Sequence, residues 1–132
     1  MAGETNLALL LQSMTPILDA DPYGYVVAKD EFELANTDTF ATVQEAEGLT
    51  LIAKASVLRT AGYEITPEWA RISLKIHSSL QAVGLTAAFA TALGNVGVSA
   101  NVIAGYYHDH IFVQWDRRHD AMSALLALSR SS

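Results

Sequence analysis

An α+β fold, with an antiparallel sheet covered by helices, is predicted by three patterns that follow one another in residues 69–115. Ala70, Ile72, Leu74 and Ile76 alternate with Arg71, Ser73, Lys75 and His77, the period of two of a strand with one buried face. Leu85, Ala88, Phe89, Ala92, Leu93 and Val96 then recur at helical spacing, so one apolar stripe runs along a helix. Residues 99–106 return to a period of two, with Ala100, Val102 and Ala104 on one face. The order is strand, glycine turn, helix, strand, tight turn, strand: a β-α-β-β unit.

The earlier elements follow from local chemistry. Thr5 or Asn6 caps a first helix whose Leu7, Leu10, Leu11 and Met14 share a face, and Pro16 ends it. Asp21-Pro22-Tyr23-Gly24 is turn chemistry, after which Tyr23, Tyr25 and Val27 alternate as a strand. Residues 30–38 are acidic without a strong period and read as a loop. Residues 40–46 and 49–54 form two short strands around Glu47-Gly48, where glycine accepts the positive φ of a hairpin turn. Ser56 caps a brief helix that Gly62 closes.

The boundary between halves falls at Glu64-Ile65-Thr66-Pro67, giving units of residues 1–66 and 67–132. After residues 69–106 come a turn at 107–109, a strand with Ile111, Val113 and Trp115 on one side, and a final helix. Asp116 stands as that helix's N-cap, and Ala121, Leu125 and Leu128, with Met122 and Leu126 beside them, form its buried stripe. The first half lacks a crossover helix, and the helix that starts the chain is expected to take its place on the sheet. Counting strands leaves each half one short, so residues 70–76 are expected to be shared between them.

Composition narrows the function classes. The chain has 132 residues, one ordinary domain or two small units that would each be marginal alone and so pack together. Hydrophobic residues make up 51% and charged residues 17%, which argues for a well-buried chain and against disorder. A net charge of −6 opposes nucleic-acid binding, which rests on Lys and Arg neutralising phosphates. With no cysteine, thiolate catalysis, disulfides and cysteine-held metals are excluded. Residues 82–105 are apolar, yet four glycines and two asparagines interrupt them, so no membrane span is assigned. Glu4 and the short apolar run 7–11 do not make a signal peptide, and a cytoplasmic location is expected.

The stretch from His77-Ser78-Ser79 through Gly84-Leu85-Thr86, with Asn95 to Val98 and Asn101-Val102-Ile103-Ala104-Gly105-Tyr106-Tyr107-His108-Asp109-His110-Ile111-Phe112-Val113, resembles an ACT domain of the ferredoxin-like fold. More narrowly it resembles small bacterial proteins that carry two such units in tandem. The likeness is strongest over residues 67–130 and fainter in the first half, where Glu45-Ala46-Glu47-Gly48-Leu49-Thr50-Leu51-Ile52 matches best. ACT domains are regulatory modules that bind amino acids or related small molecules. The resemblance therefore implies a non-enzymatic module with a small-molecule ligand, an amino acid foremost, with room for a homodimer and no cofactor. An assembly domain without a ligand is the alternative.

The strand-to-helix bend is the candidate site. Helix-start amides lack intrahelical acceptors and carry partial positive charge, so an anionic ligand group can dock there, with Ser78, Ser79 and Thr86 adding hydroxyls. The resemblance adds Val83, Gly84, Leu85, Asn101, Val102 and Ile103, from the matching loop and the strand after it. Many ACT domains have an acidic residue followed by proline or arginine just before the glycine, where this chain has Ala82-Val83, so a carboxylate for a ligand ammonium is missing there.

Other constellations are weaker. His108-Asp109-His110 invites a metal reading, but a tight turn accounts for Asp109 more simply, and a third ligand would have to come from His119 or His77. A triad of Ser78, His108 and Asp109 lacks the glycine pattern of a nucleophile elbow. Asp30, Glu31 and Glu33 read as solvated charge. Tyr106, Tyr107 and Trp115 are assigned to core or interface packing. No metal site and no catalytic residue is assigned.

Overall fold

The structure is a computed structural model that describes residues 6–29, 38–75 and 83–131. Among the described residues the order is α1 (Leu7–Ser13), β1 (Thr15–Val27), β2 (Thr39–Glu45), β3 (Gly48–Lys54), α2 (Ala55–Thr60), β4 (Trp69–Lys75), α3 (Leu85–Asn95), β5 (Asn101–Ala104), β6 (Asp109–Gln114), a 3-10 turn (Trp115–Arg117) and α4 (Arg118–Arg130). The strands hydrogen-bond in the order β2-β3-β1-β4-β6-β5. The α+β class is as the sequence predicts. Contacts divide the chain into two compact units, Met1–Asp19 with Ala70–Ser132, and Ala20–Trp69.

In the first unit every strand has one inward face. Ala70, Ile72 and Leu74 of β4, with Ile111 and Val113 of β6, meet Leu10 and Leu11 of α1, Leu85, Phe89 and Leu93 of α3, and Ala121 and Leu125 of α4. The period of four in Leu85, Phe89 and Leu93 stacks them on one side of α3, and Phe89 and Leu93 are fully buried. Each such side chain contributes roughly 1.5–3 kcal/mol relative to exposure. Antiparallel pairing sets Val102 opposite Ile111 and Ile103 opposite His110. Asn6 caps α1, accepting from the Leu9 amide at 3.2 Å.

In the second unit β3 pairs antiparallel with β1, Tyr25 opposite Ile52, and with β2, Ala41 opposite Ile52. Leu51 and Ala53 of β3 pack with Ala55 and Leu58 of α2, Ile65, Val26 and Tyr63. A Cβ built on Gly24 would stand 2.8 Å from Ile65 Cδ1, so that strand position must be bare for Ile65 to close the core. A bulge between Thr39 and Ala41 goes with Phe40 meeting Tyr23 edge-on at 6.1 Å.

Several local expectations are corrected. The turn at Asp21-Pro22-Tyr23-Gly24 lies inside β1, which starts at Thr15. Proline lacks the N–H a ladder needs, and the pairing with β3 begins at Tyr23, just past Pro22. Ser56 is the second residue of α2, whose cap position is Lys54. Asp116 lies in the 3-10 turn, and α4 has no side-chain cap. Trp115 has left the strand and its ring takes the Arg118 guanidinium at 3.9 Å. The first helix, expected to cover the first half, packs into the core shared by β4, α3 and α4. β1 and β4 each have residues in both units, β1 crossing at Asp19–Ala20 and β4 at Trp69–Ala70. Residues 30–37 of the predicted acidic loop and Ile76 of the predicted strand lie outside the described residues.

Candidate functional site

Gly84 makes the bend before α3. Its φ of 91° is left-handed, a region that L side chains avoid and glycine enters freely. The Ala88 amide donates to Gly84 O at 2.9 Å and closes the first turn. No side chain caps α3 and its first turn holds no acidic residue, so the amides there keep the partial positive charge of a helix start. A Cβ on Gly84 would stand 3.2 Å from Leu7 Cδ2, so α1 lies against one side of the bend.

The predicted residues divide around this point. Val83 is 84% exposed and Thr86 is exposed, both at the helix entrance. Leu85 turns into the core. Val102 packs on the same core, so strand alternation sends Asn101 and Ile103 to the opposite sheet face. Asn101 Nδ2 donates to Phe112 O at 3.2 Å. Ser78, Ser79 and His77 lie outside the described residues. The far end of α3 is closed by Arg117, which donates to the carbonyls of Val96 and Gly97.

The hairpin turn sits earlier than residues 107–109: Gly105 N donates to His108 O at 2.9 Å, and Asp109 is already in the ladder opposite Ala104. Strand pairing claims Asp109, whose carboxyl is pushed up by burial although His108 pulls it down. Tyr106 and Tyr107, assigned to packing, stand 74% and 75% exposed at the tip, their rings in edge contact at 5.1 Å. Among the described residues no three His, Asp or Glu side chains gather as a metal site requires.

One cluster escaped sequence reasoning. On the sheet face away from the helices, Ser73 Oγ and His110 Nδ1 share a hydrogen bond of 2.9 Å. On the same strand, Arg71 Nη1 faces Asp19 Oδ2 at 3.8 Å, with side chains only 24% and 28% exposed. Burial, then Arg71 and His108, lower the His110 imidazole to about 4, so it is neutral at pH 7. The alternation of residues 70–77 had marked Arg71 and Ser73 as one face, but pairing with β6 and β1 is long-range and leaves no local pattern. In the second unit, Asp38, Ser56, Val57, Thr60 and Ala61 line an open cleft of about 320 Å³. No described helix is long and apolar enough to cross a membrane.

Two helix-backed β units, with a glycine bend ahead of α3, define a tandem α+β module. The chain belongs to the ACT-domain family, whose sequence patterns match residues 2–68 and again residues 64–127. ACT domains are regulatory ligand-binding modules. The chain is 47% identical to a Vibrio cholerae protein of unknown function, over 93% of this chain and 95% of that one, with a TM-score of 0.78. Its fold also resembles the regulatory subunit of aspartate kinase from Thermus thermophilus, solved free of ligand, at 14% identity over 86% of this chain and 95% of that chain, with a TM-score of 0.60. The regulatory subunit of aspartate kinase from Thermus flavus matches at 14% identity over the same 86% and 95%, with a TM-score of 0.51. No curated protein matches the chain.

Proposed function

We propose that the chain is a non-catalytic module that binds an amino acid at the bend of residues 83–86 and passes the binding state to a partner in the cytoplasm. Residues 1–66 and 67–132 are its two family units. The observation that carries this reading is the α3 entrance, where a left-handed glycine precedes a helix with no side-chain cap and no acidic residue in its first turn. A ligand carboxylate would accept from those amides, with Ser78, Ser79 and Thr86 supplying hydroxyls and Leu85, Asn101, Val102 and Ile103 the adjoining walls. Such a ligand acts by binding one arrangement of the module better than another.

A thermal-shift series with the twenty common amino acids tests this. A true ligand at about a hundred times its dissociation constant adds about 2.7 kcal/mol of stability, and Thr86→Val should weaken it while leaving the unliganded melting temperature within a degree or two. Leu7 against Gly84 favours the second reading, an assembly domain in which the bend is already filled. That reading predicts no shift with any amino acid, together with a concentration-dependent dimer in sedimentation.

A further inference from the structure

We infer that the cleft beside α2 in the second unit binds a small primary amine as its ammonium. In this site Asp38 takes the charge, Ser56 and Thr60 accept two further N–H bonds, and Val57 and Ala61 hold the aliphatic arm. The site goes beyond the amino-acid reading of the bend and does not rest on it.

Strand pairing and helix geometry gather these residues. The ladder sets Thr39 of β2 opposite Ala53 of β3, and β3 ends at Lys54, where α2 begins with Ala55. Asp38, the residue before β2, is thereby carried to the start of α2. Within α2, Ala55 and Leu58 turn into the core. Ser56 and Thr60 then form one i, i+4 row, and Val57 and Ala61 the row beside it. A polar edge and an apolar edge thus run together into a cleft of about 320 Å³, within the roughly 300–1,000 Å³ of small-molecule sites.

The polar groups of the cleft are uncommitted. Among the described residues, neither the Asp38 carboxylate nor the Ser56 and Thr60 hydroxyls have a hydrogen bond or an ion pair. The neighbouring cations are engaged elsewhere: Lys54 bridges Asp21 at 3.0 Å, and Arg59 bridges Glu68 at 2.8 Å and donates to Ile65 O. The lining holds one carboxylate and no cation, so it favours a positive ligand. An ammonium has three N–H donors, which match one carboxylate and two hydroxyl oxygens. Cβ atoms at i, i+4 on a helix stand about 5–6 Å apart, so a nitrogen between Ser56 and Thr60 comes within about 3 Å of both oxygens. A carboxylic acid or a zwitterion would set its carboxylate against Asp38. A metal ion needs a cluster of His, Asp or Glu side chains that the described residues do not supply. Val57 and Ala61 select an aliphatic arm over a polar one. Asp38 is exposed, so the charge contact is open to an arriving ligand and is weakened by salt.

The test is a nitrogen-15 NMR titration of the whole chain at pH 7 and low ionic strength with butylammonium chloride. Sodium chloride, butanol and butyrate at equal concentration are the comparisons. The inference expects saturable shifts at the Asp38, Ser56 and Thr60 amides with butylammonium alone. Asp38→Asn should weaken binding by about tenfold or more, the loss of the charge contact, and Ser56→Ala and Thr60→Val each by about threefold to tenfold, the loss of one hydrogen bond. All three side chains stand at exposed positions, and whichever variants give the wild-type spectrum carry the test. Equal shifts with sodium chloride, butanol or butyrate, shifts that the folded variants retain in full, or no saturable shift at these amides overturn the site. Each of those outcomes leaves the bend reading untouched, since that reading is tested with amino acids at residues 83–86.

Discussion

At Gly24 a single missing atom decides whether a core closes. The added methyl of Gly24→Ala would stand 2.8 and 2.9 Å from the two ends of Ile65 and 3.1 Å from Leu58 Cδ1, closer than carbon atoms pack. Overpacking of this kind costs about 1–3 kcal/mol, which urea unfolding of the variant should register as a lower midpoint at unchanged slope. His110 has a pH signature. Its folded value near 4 lies below the ordinary 6.5, so between those values the unfolded chain holds more protons and stability falls as pH drops. The contribution is present in full above about 6.5 and is lost on acidification toward 4. Asp109, raised by burial, acts with the opposite sign: its contribution is present below its ordinary value and lost as pH rises through the folded one. Melting curves of wild type and His110→Gln from pH 7.5 to 4 should therefore converge at the acid end, the wild type losing more of its melting temperature.

Helix starts show how far element-level reading reaches. Asn6 and Ser56 have equivalent sequence credentials as caps, but only Asn6 accepts from its helix, at the Leu9 amide, while Ser56 is an exposed residue inside α2. Asn6→Ala should cost about 1 kcal/mol, and Ser56→Ala should stay within about 0.5 kcal/mol; equal losses by chemical denaturation would mean the two helices start where the sequence placed them. Alternation in β4 and the stripe of α3 were legible because each element presents one face to a single core, and that burden is written locally at periods of two and 3.6. β1 was not legible. Its Pro16 and Pro22 and the Asp21-Pro22-Tyr23-Gly24 run carry turn chemistry, and the pairing of Tyr23 to Val27 with β3 overrides it. Asp116 failed as a cap for a similar reason, since the 3-10 turn moves the start of α4 to Arg118.

For the whole molecule, the first helix gives the sharpest prediction. Leu10, Leu11 and Met14 are at most 7% exposed and belong to the core with β4, β6, α3 and α4, whose other buried members come from beyond residue 69. A chain beginning at Thr15 should lose amide protection chiefly in α3, α4 and β6, and retain it in β3 and α2, whose core is Leu51, Ala53, Ala55, Leu58 and Ile65. Hydrogen exchange read by NMR resolves the two; equal loss in both would mean that α1 supports them alike. Of the candidate site, the Gly84 bend was legible because a left-handed turn before a helix requires a glycine. The Arg71, Asp19, Ser73 and His110 cluster was not, since its members come from three strands.

The amino-acid sequence alone determined the α+β class, the strand faces of residues 70–75, the buried stripe of α3 and the acidic, cysteine-free character that opposes nucleic-acid binding and excludes thiol chemistry. Each follows from short-range periodicity or simple counting. Which core α1 joins, where β1 runs past its prolines and which polar residues meet on the sheet face away from the helices were decided only in three dimensions. The physical reason is that these depend on partners distant in sequence: strand pairing and core closure contribute more than local turn and cap preferences of about 1 kcal/mol.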